Sequence, residues 1–312
     1  MPLSWRDRLV LAGLHLVPSR AASHVMFLLR SHPSLTDRWG YHVRPMHYYE
    51  PLPDFRTITP EALQRRRVSP AIEFDLEGQR RLLRRLSRAY ASELAQVARA
   101  GAFDFANDYF AGFDACLYYA LIRDLKPRRI IEIGAGYSTQ IAALALQRNR
   151  ESSEPADLIC IEPYPAARLN RAAGDIRLIT EPVERVPLEH FTALRANDIL
   201  FIDSTHTVKF DGDVYHELLS IVPRLQAGVW VQVHDVFWPG DYPAQWLIEQ
   251  RIAFNEQYLL EAFLAFNSAF SVTAANYWLA TEYPDEVAAL VPESAERTPE
   301  TGGASLWMRR NS

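Results

Sequence analysis

"IIEIGAGYST", residues 130–139, is an apolar run that ends in two glycines one residue apart. It leads directly into "STQIAALALQRN" (138–149), which reads as a helix. Strand, glycine loop and helix in immediate succession open a β-α-β unit, and such a loop lets the backbone approach a ligand closely. The flanking sequence keeps the alternation. "DACLYYALIRDL" (114–125) reads as a helix; "RRIIEIG" (128–134), "DLICIEP" (157–163), "DIRLIT" (175–180), "NDILFIDS" (197–204) and "GVWVQVHD" (228–235) read as strands. "DVYHELLSIVPRL" (213–225) puts Val214, Leu218, Val222 and Leu225 on one helical face. Nearly continuous apolar strands separated by amphipathic helices predict a doubly wound α/β domain, with a parallel sheet covered on both faces.

In such a sheet ligands sit beyond the carboxyl ends of the strands, where strand order reverses. The predicted strands end in Glu132, Gly134, Ala135 and Gly136; in Glu162; in Asp203, Ser204, Thr205 and His206; and in His234 and Asp235. A carboxylate at a strand end often caps the next helix. Acidic or imidazole groups at four strand ends exceed what capping requires.

The loop departs from the dinucleotide pattern G-x-G-x-x-G, because Thr139 stands at the third glycine and Glu132 precedes the first by two residues. A carboxylate there opposes an anionic ligand and suits a cationic one. S-adenosylmethionine, with its sulfonium and amino group, meets that requirement, and the two oxygens of Glu162 suit a pair of ribose hydroxyls.

Taken in order, "IIEIGAGYST", "CIEP", "LFIDSTH" and "GVWVQVHD" resemble the class I S-adenosylmethionine-dependent methyltransferases. The likeness is to the bacterial small-molecule O-methyltransferase branch related to macrocin O-methyltransferase and cephalosporin hydroxylase-type proteins, over about residues 106–312. The resemblance implies a Rossmann-like seven-stranded sheet with a final antiparallel strand, for which "FSVTAANYWLA" (270–280) and "ASLWMRR" (304–310) are the candidates. It implies a cofactor-binding set of Glu132, Gly134, Ala135, Gly136, Ser138, Glu162 and Asp203. Metal-dependent relatives hold Mg²⁺ at the ends of the fourth and fifth strands, which here offer Asp203, His234 and Asp235. His234 departs from their oxygen ligands, so Mg²⁺, another divalent metal and a metal-free site all stay open. His206 stands where catechol-type members carry a lysine base, and imidazole, with an ordinary pKa near about 6.5, suits that role with Asp203 beside it.

Residues 1–105 carry no glycine loop, are broken by "YYEPLPDF" (48–55) and "RVSPAIEF" (67–74), and are expected to form a mainly helical accessory region before a methyltransferase domain at 106–312. Within them "QRRLLRRLSRAYASELAQVA" (79–98) reads as one long helix with a solvated arginine face. "SWRDRLVLAGLHLVPSR" (4–20) is too short to span a bilayer and is read as a helix packed on its own domain, the other reading being contact with a membrane surface or a partner subunit. The aromatic-rich segment 237–270, with Trp238, Tyr242 and Trp246, is read equally as an acceptor wall or as core, and Asn255, Glu256 and Tyr258 as its polar contacts.

With 33 Lys+Arg against 38 Asp+Glu there is no global basic field of the kind nucleic-acid binding uses. Two cysteines in a 312-residue chain need no disulfide framework, so the chain is expected to be cytoplasmic, without stable membrane insertion. The expected function is O-methylation of a small-molecule hydroxyl, on a sugar or natural-product intermediate, with a homo-oligomer left open. A nicotinamide-dependent oxidoreductase and a non-catalytic scaffold on the same fold are the rival readings.

Overall fold

The computed structural model describes residues 4–151, 155–165, 176–293, 295 and 303–312. The chain divides into two compact units, residues 1–58 and 59–312. The first contains α1 (Trp5–His15), α2 (Ser19–Ser31) and α3 (Pro33–Arg38). Ser4 caps α1 through a reciprocal bond pair with Asp7, and Pro33 opens α3, where its missing N–H costs nothing.

The second unit runs α4 (Pro60–Leu63), α5 (Leu76–Arg99), α6 (Gly112–Leu125), β1 (Arg129–Ile133), α7 (Tyr137–Asn149), β2 (Asp157–Ile161), β3 (Ile176–Ile179), α8 (Glu189–Thr192) and β4 (Ile199–Ile202). It continues with α9 (Asp213–His216), β5 (Trp230–His234), α10 (Glu256–Leu264), β6 (Phe270–Ala275), α11 (Asn276–Glu282), α12 (Pro284–Ala288) and β7 (Ser305–Arg310). One seven-stranded sheet has the order β3-β2-β1-β4-β5-β7-β6. β1 to β5 are parallel, and β7 runs antiparallel between β5 and β6. The expected doubly wound sheet and antiparallel closing strand are therefore present. Strand order reverses between β1 and β4, which places the ligand crevice at their carboxyl ends.

The period-2 alternation of the strands feeds two cores. Ile130, Cys160, Phe201 and Trp307 face α5, α6 and α7, while Ile131, Ile159, Leu200 and Val231 face the other side with Val214, Leu218 and Leu260. α6 is buried continuously from Gly112 to Ile122 because it lies between the sheet and α5.

Three local expectations change. The run 270–280 is a strand only as far as Ala275: the Asn276 side chain turns to Asp114 and α11 begins. The helix expected over 213–225 relaxes after His216 into a π turn and then a 3₁₀ turn containing Pro223, which has no N–H to continue an α-helical ladder. The compact units divide at Ile58 and Thr59 rather than near residue 105. α5 belongs with the sheet, burying Leu83, Leu86, Leu94 and Val97 in the same core as α6. Its arginines form ion pairs, Arg80 and Arg84 with Glu286 of α12 and Arg85 with Asp124 of α6.

This arrangement predicts different outcomes for two truncations. Removing residues 1–58 leaves a single cooperative thermal transition; removing 1–105 exposes the outer face of α6 and abolishes it. Within the intact chain, Leu86→Ala lowers stability by about 2–5 kcal/mol in urea unfolding, as a fully buried leucine should.

Candidate active site

The glycine loop is set by a close approach of two strand ends. Gly134 has φ +83°, and a Cβ there would lie 2.0 Å from the backbone oxygen of Asp203, so neither the conformation nor the space admits a side chain. Gly136 differs: a Cβ built on it meets no atom within 4 Å, which leaves an open cradle over the loop. Ser138 lies buried in the first turn of α7. Glu162 follows β2 half-exposed, with Oε1 accepting from the Tyr164 N–H at 2.8 Å and Oε2 3.4 Å from the Ala135 N–H. A half-exposed carboxylate thus stands beside the loop.

Glu132 is not at that surface. Its side chain shares the sheet face of Ile130, beneath α6 and α7, and is 0% exposed. Tyr118 donates to Oε1 at 3.0 Å and Thr139 to Oε2 at 2.5 Å, with Cys160 Sγ 3.7 Å away. Thr139 in turn accepts from the Gly136 N–H at 3.1 Å. Glu132 thus braces the loop from below through Thr139, and direct contact with a ligand is replaced by positioning. Desolvation pushes its carboxyl up to about 7, although the Thr139 and Tyr118 bonds hold it down.

At the ends of β4 and β5 four residues meet. His206 Nε2 lies 3.3 Å from Asp203 Oδ1 and 3.3 Å from Asp235 Oδ2, and His234 Nδ1 lies 3.5 Å from an oxygen of each aspartate. His206 and Asp235 both have left-handed backbones, φ 57° and 55°, a conformation that His and Asp tolerate better than most residues and that recurs at functional sites.

Two carboxylates that lie away from the strand ends complete the cluster. Glu256, 2% exposed, lies with Oε2 hydrogen-bonded to His206 Nδ1 at 2.8 Å, while the His206 carbonyl accepts the N–H groups of Asn255 and Glu256 at the start of α10. Asp114 on α6 lies 3.7 Å from His234 Nε2 and is held by the Asn276 side chain and the Ala304 N–H, at 2.7 and 2.8 Å. Both sit on helices, outside the pattern of strand ends. Tertiary carboxylate contacts of this kind have no local sequence signature.

The cluster's charges depend on one another. Burial alone would lower His206, but bonds to Asp203 and Glu256 and the nearby Asp235 raise it well above its ordinary value. Burial likewise opposes the charge on His234, and Asp235, Asp203 and Asp114 overcome it. Desolvation would raise Asp203, yet the two histidines pull it well below the usual carboxylate range. Desolvation prevails at Asp235 and raises it despite the same histidines. Both rings are therefore held as imidazolium, with both nitrogens donating. Among the described residues no group of three His, Cys, Asp or Glu is arranged to hold a metal ion, Asp203, His234 and Asp235 included.

The aromatic segment is mostly structural. Trp238 packs edge-on against Phe74 and donates to the Arg67 carbonyl, and the buried Tyr242 hydroxyl accepts the Gln257 N–H. Asn255 Oδ1 accepts from the Val208 N–H, and Tyr258 donates to Asp241. Phe254 reaches the site, 4.9 Å from the His206 ring, and Phe110 lies 5.2 Å from His234. No described helix is long and apolar enough to cross a membrane.

Two tests separate these roles. Gly136→Val is expected to fold with near-native thermal stability and to lose ligand at the loop, whereas Gly134→Val unfolds the domain. For Glu132 the folded state holds the proton more tightly than the unfolded chain. Its contribution to stability is therefore largest below about 4.5, declines as pH rises to about 7, and is constant beyond. Glu132→Gln removes that slope, so the melting-temperature difference between variant and parent should widen in the variant's favour across this window. An unchanged difference refutes the assignment.

Residues 131–236 match the family model of a methyltransferase domain. An uncharacterized protein of Archaeoglobus fulgidus is 36% identical over 97 residues, 30% of this chain and 42% of that protein, so the match spans less than half of the relative's length. Among solved structures, the O-methyltransferase TomG from Streptomyces achromogenes, solved with S-adenosylmethionine, is 16% identical, covering 77% of this chain and 100% of that one at a TM-score of 0.43. An O-methyltransferase from Bacillus cereus is 14% identical, covering 72% and 91% at 0.39. The matched segment begins within β1 and ends just beyond β5, so it holds the glycine loop, Asp203 and Asp235.

Proposed function

We propose that this chain transfers the methyl group of S-adenosylmethionine to a hydroxyl of a small molecule, without a metal ion. The observation that carries the reading is the juxtaposition, across the Gly134–Asp203 contact, of an open glycine loop with a carboxylate-imidazolium cluster. When bound, S-adenosylmethionine supplies an electrophilic methyl on a sulfonium. Gly134, Ala135 and Gly136 would admit it to the loop, Ser138 and Asp203 border it, and Glu162 accepts the ribose hydroxyls.

A hydroxyl attacking in line must lose its proton. His206 is expected from sequence to take it, but a ring already protonated between three carboxylates has no vacant nitrogen. Asp235, whose affinity for a proton is raised, is the better acceptor. Its Oδ2 receives the hydroxyl proton as the O–CH₃ bond forms and the S–CH₃ bond breaks, leaving a neutral thioether. His206 and His234 would hold Asp203 and Asp235 in place, and their two positive charges stabilise the developing alkoxide. Phe110 and Phe254 shield this point from water.

Calorimetric titration of chelator-treated protein with S-adenosylhomocysteine tests the first half. Binding should be unchanged by Mg²⁺ or Mn²⁺ and at least about tenfold weaker in Glu162→Ala, the loss of about 1.4 kcal/mol or more. For the second half, Asp235→Asn should bind the product normally and fail to release it from S-adenosylmethionine across a panel of hydroxylated acceptors. Absence of binding in the parent protein would favour a non-catalytic scaffold.

A further inference from the structure

We propose that the N-terminal unit docks the protein on an anionic lipid surface, lying in the membrane interface without crossing it. Neither α1 nor α2 has a single buried residue. In α2 Ala21, Ala22, Val25, Met26, Leu28 and Leu29 share one broad face, with Phe27 outside it, while the apolar residues of α1 are distributed around the helix. Leu9, Val10 and Leu11 are consecutive and 63%, 62% and 42% exposed; Val25, Met26, Phe27 and Leu28 are consecutive and 43–60% exposed. Successive helical residues point about 100° apart, so the three-residue run of α1 spans about 200° and the apolar face of α2 is broad. A broad apolar face exposed on consecutive turns suits burial in the interface of a lipid layer.

Length and charge select the mode. Helices of 11 and 13 residues reach about 16–20 Å, short of the ~30 Å hydrocarbon core. Arg6 and Arg8 begin α1, Arg20 and Arg30 lie near the two ends of α2, and Arg38 ends α3; residues 4–38 oppose these five arginines with only Asp7 and Asp37. Asp7 is already engaged with Ser4. This net positive segment belongs to a chain of net charge −5, so the basic character is local. Exposed Trp5, Trp39, Tyr41, Tyr48 and Tyr49 add the amphipathic rings that settle at headgroup level. Arginine at the helix ends with apolar side chains between them matches anionic headgroups above acyl chains.

The test is co-sedimentation of the full chain with vesicles of phosphatidylcholine mixed with phosphatidylglycerol, and with vesicles of phosphatidylcholine alone. Binding to the mixed vesicles is expected to be at least about tenfold stronger and to weaken as salt rises. Leu9→Glu with Phe27→Glu should abolish it, and Arg8→Glu with Arg20→Glu should weaken it about tenfold. Both pairs lie on exposed positions of the first unit, so the cooperative unfolding of the second unit serves as the control for folding. Failure to bind either vesicle, or equal binding to both, overturns the proposal. So does a concentration-dependent dimer in light scattering that Leu9→Glu with Phe27→Glu dissolves while vesicle binding is absent, since a second copy would then cover the helices.

Discussion

Everything at the candidate site depends on how closely the end of β1 comes to the end of β4. The left-handed turn at Gly134 lets the chain pass against the Asp203 carbonyl, with no room for even a methyl group. The same contact fixes two things at once. It starts the loop that would hold one reactant, and it sets the backbone from which Asp203 projects toward His206 and His234. A side chain at residue 134 would therefore separate the two halves of the site as well as distort a turn.

Beyond that contact, electrostatics governs the cluster. Two imidazolium rings lie among Asp114, Asp203, Asp235 and Glu256, and each group's ionisation state is maintained by its neighbours against the cost of burial. Removing one member leaves an uncompensated charge, so the cluster responds as a unit. Two cationic rings within one cluster also supply a charge comparable to that of a divalent ion.

The fold was largely legible because parallel strands buried on both faces leave continuous apolar runs, and the residues ending them stand out against that background. Glu162, Asp203, His206, His234 and Asp235 were found in this way, and the last four do meet. Glu132 was misplaced because it stands one position inside the strand end. Strand alternation turns it with Ile130 under the helices, away from the crevice. The arginine-rich helix falls with the accessory region because residues 1–105 lack a glycine loop and are broken by proline clusters, while Leu83, Leu86 and Leu94 join the main core. Glu256 and Asp114 acquire their roles from contacts spanning 50 and 120 residues, which no periodicity encodes.

The position of β7 has a consequence for how the domain is made. Residues 305–310 fill the gap between β5 and β6, and the neighbouring Ala304 N–H bonds Asp114, a partner of His234. On a chain synthesised from its N-terminus, β1 to β5 can pair as they emerge, but β6 has no neighbour in the sheet and Asp114 lacks one of its donors until this late strand inserts. From the emergence of β5 until residues 305–310 follow, the nascent domain thus carries an open β5 edge, a surface that invites mispairing with other chains. Completing the contacts of Asp114 is coupled to closing that edge, so a chain stalled short of β7 exposes a sheet edge and leaves a partner of His234 with one donor fewer.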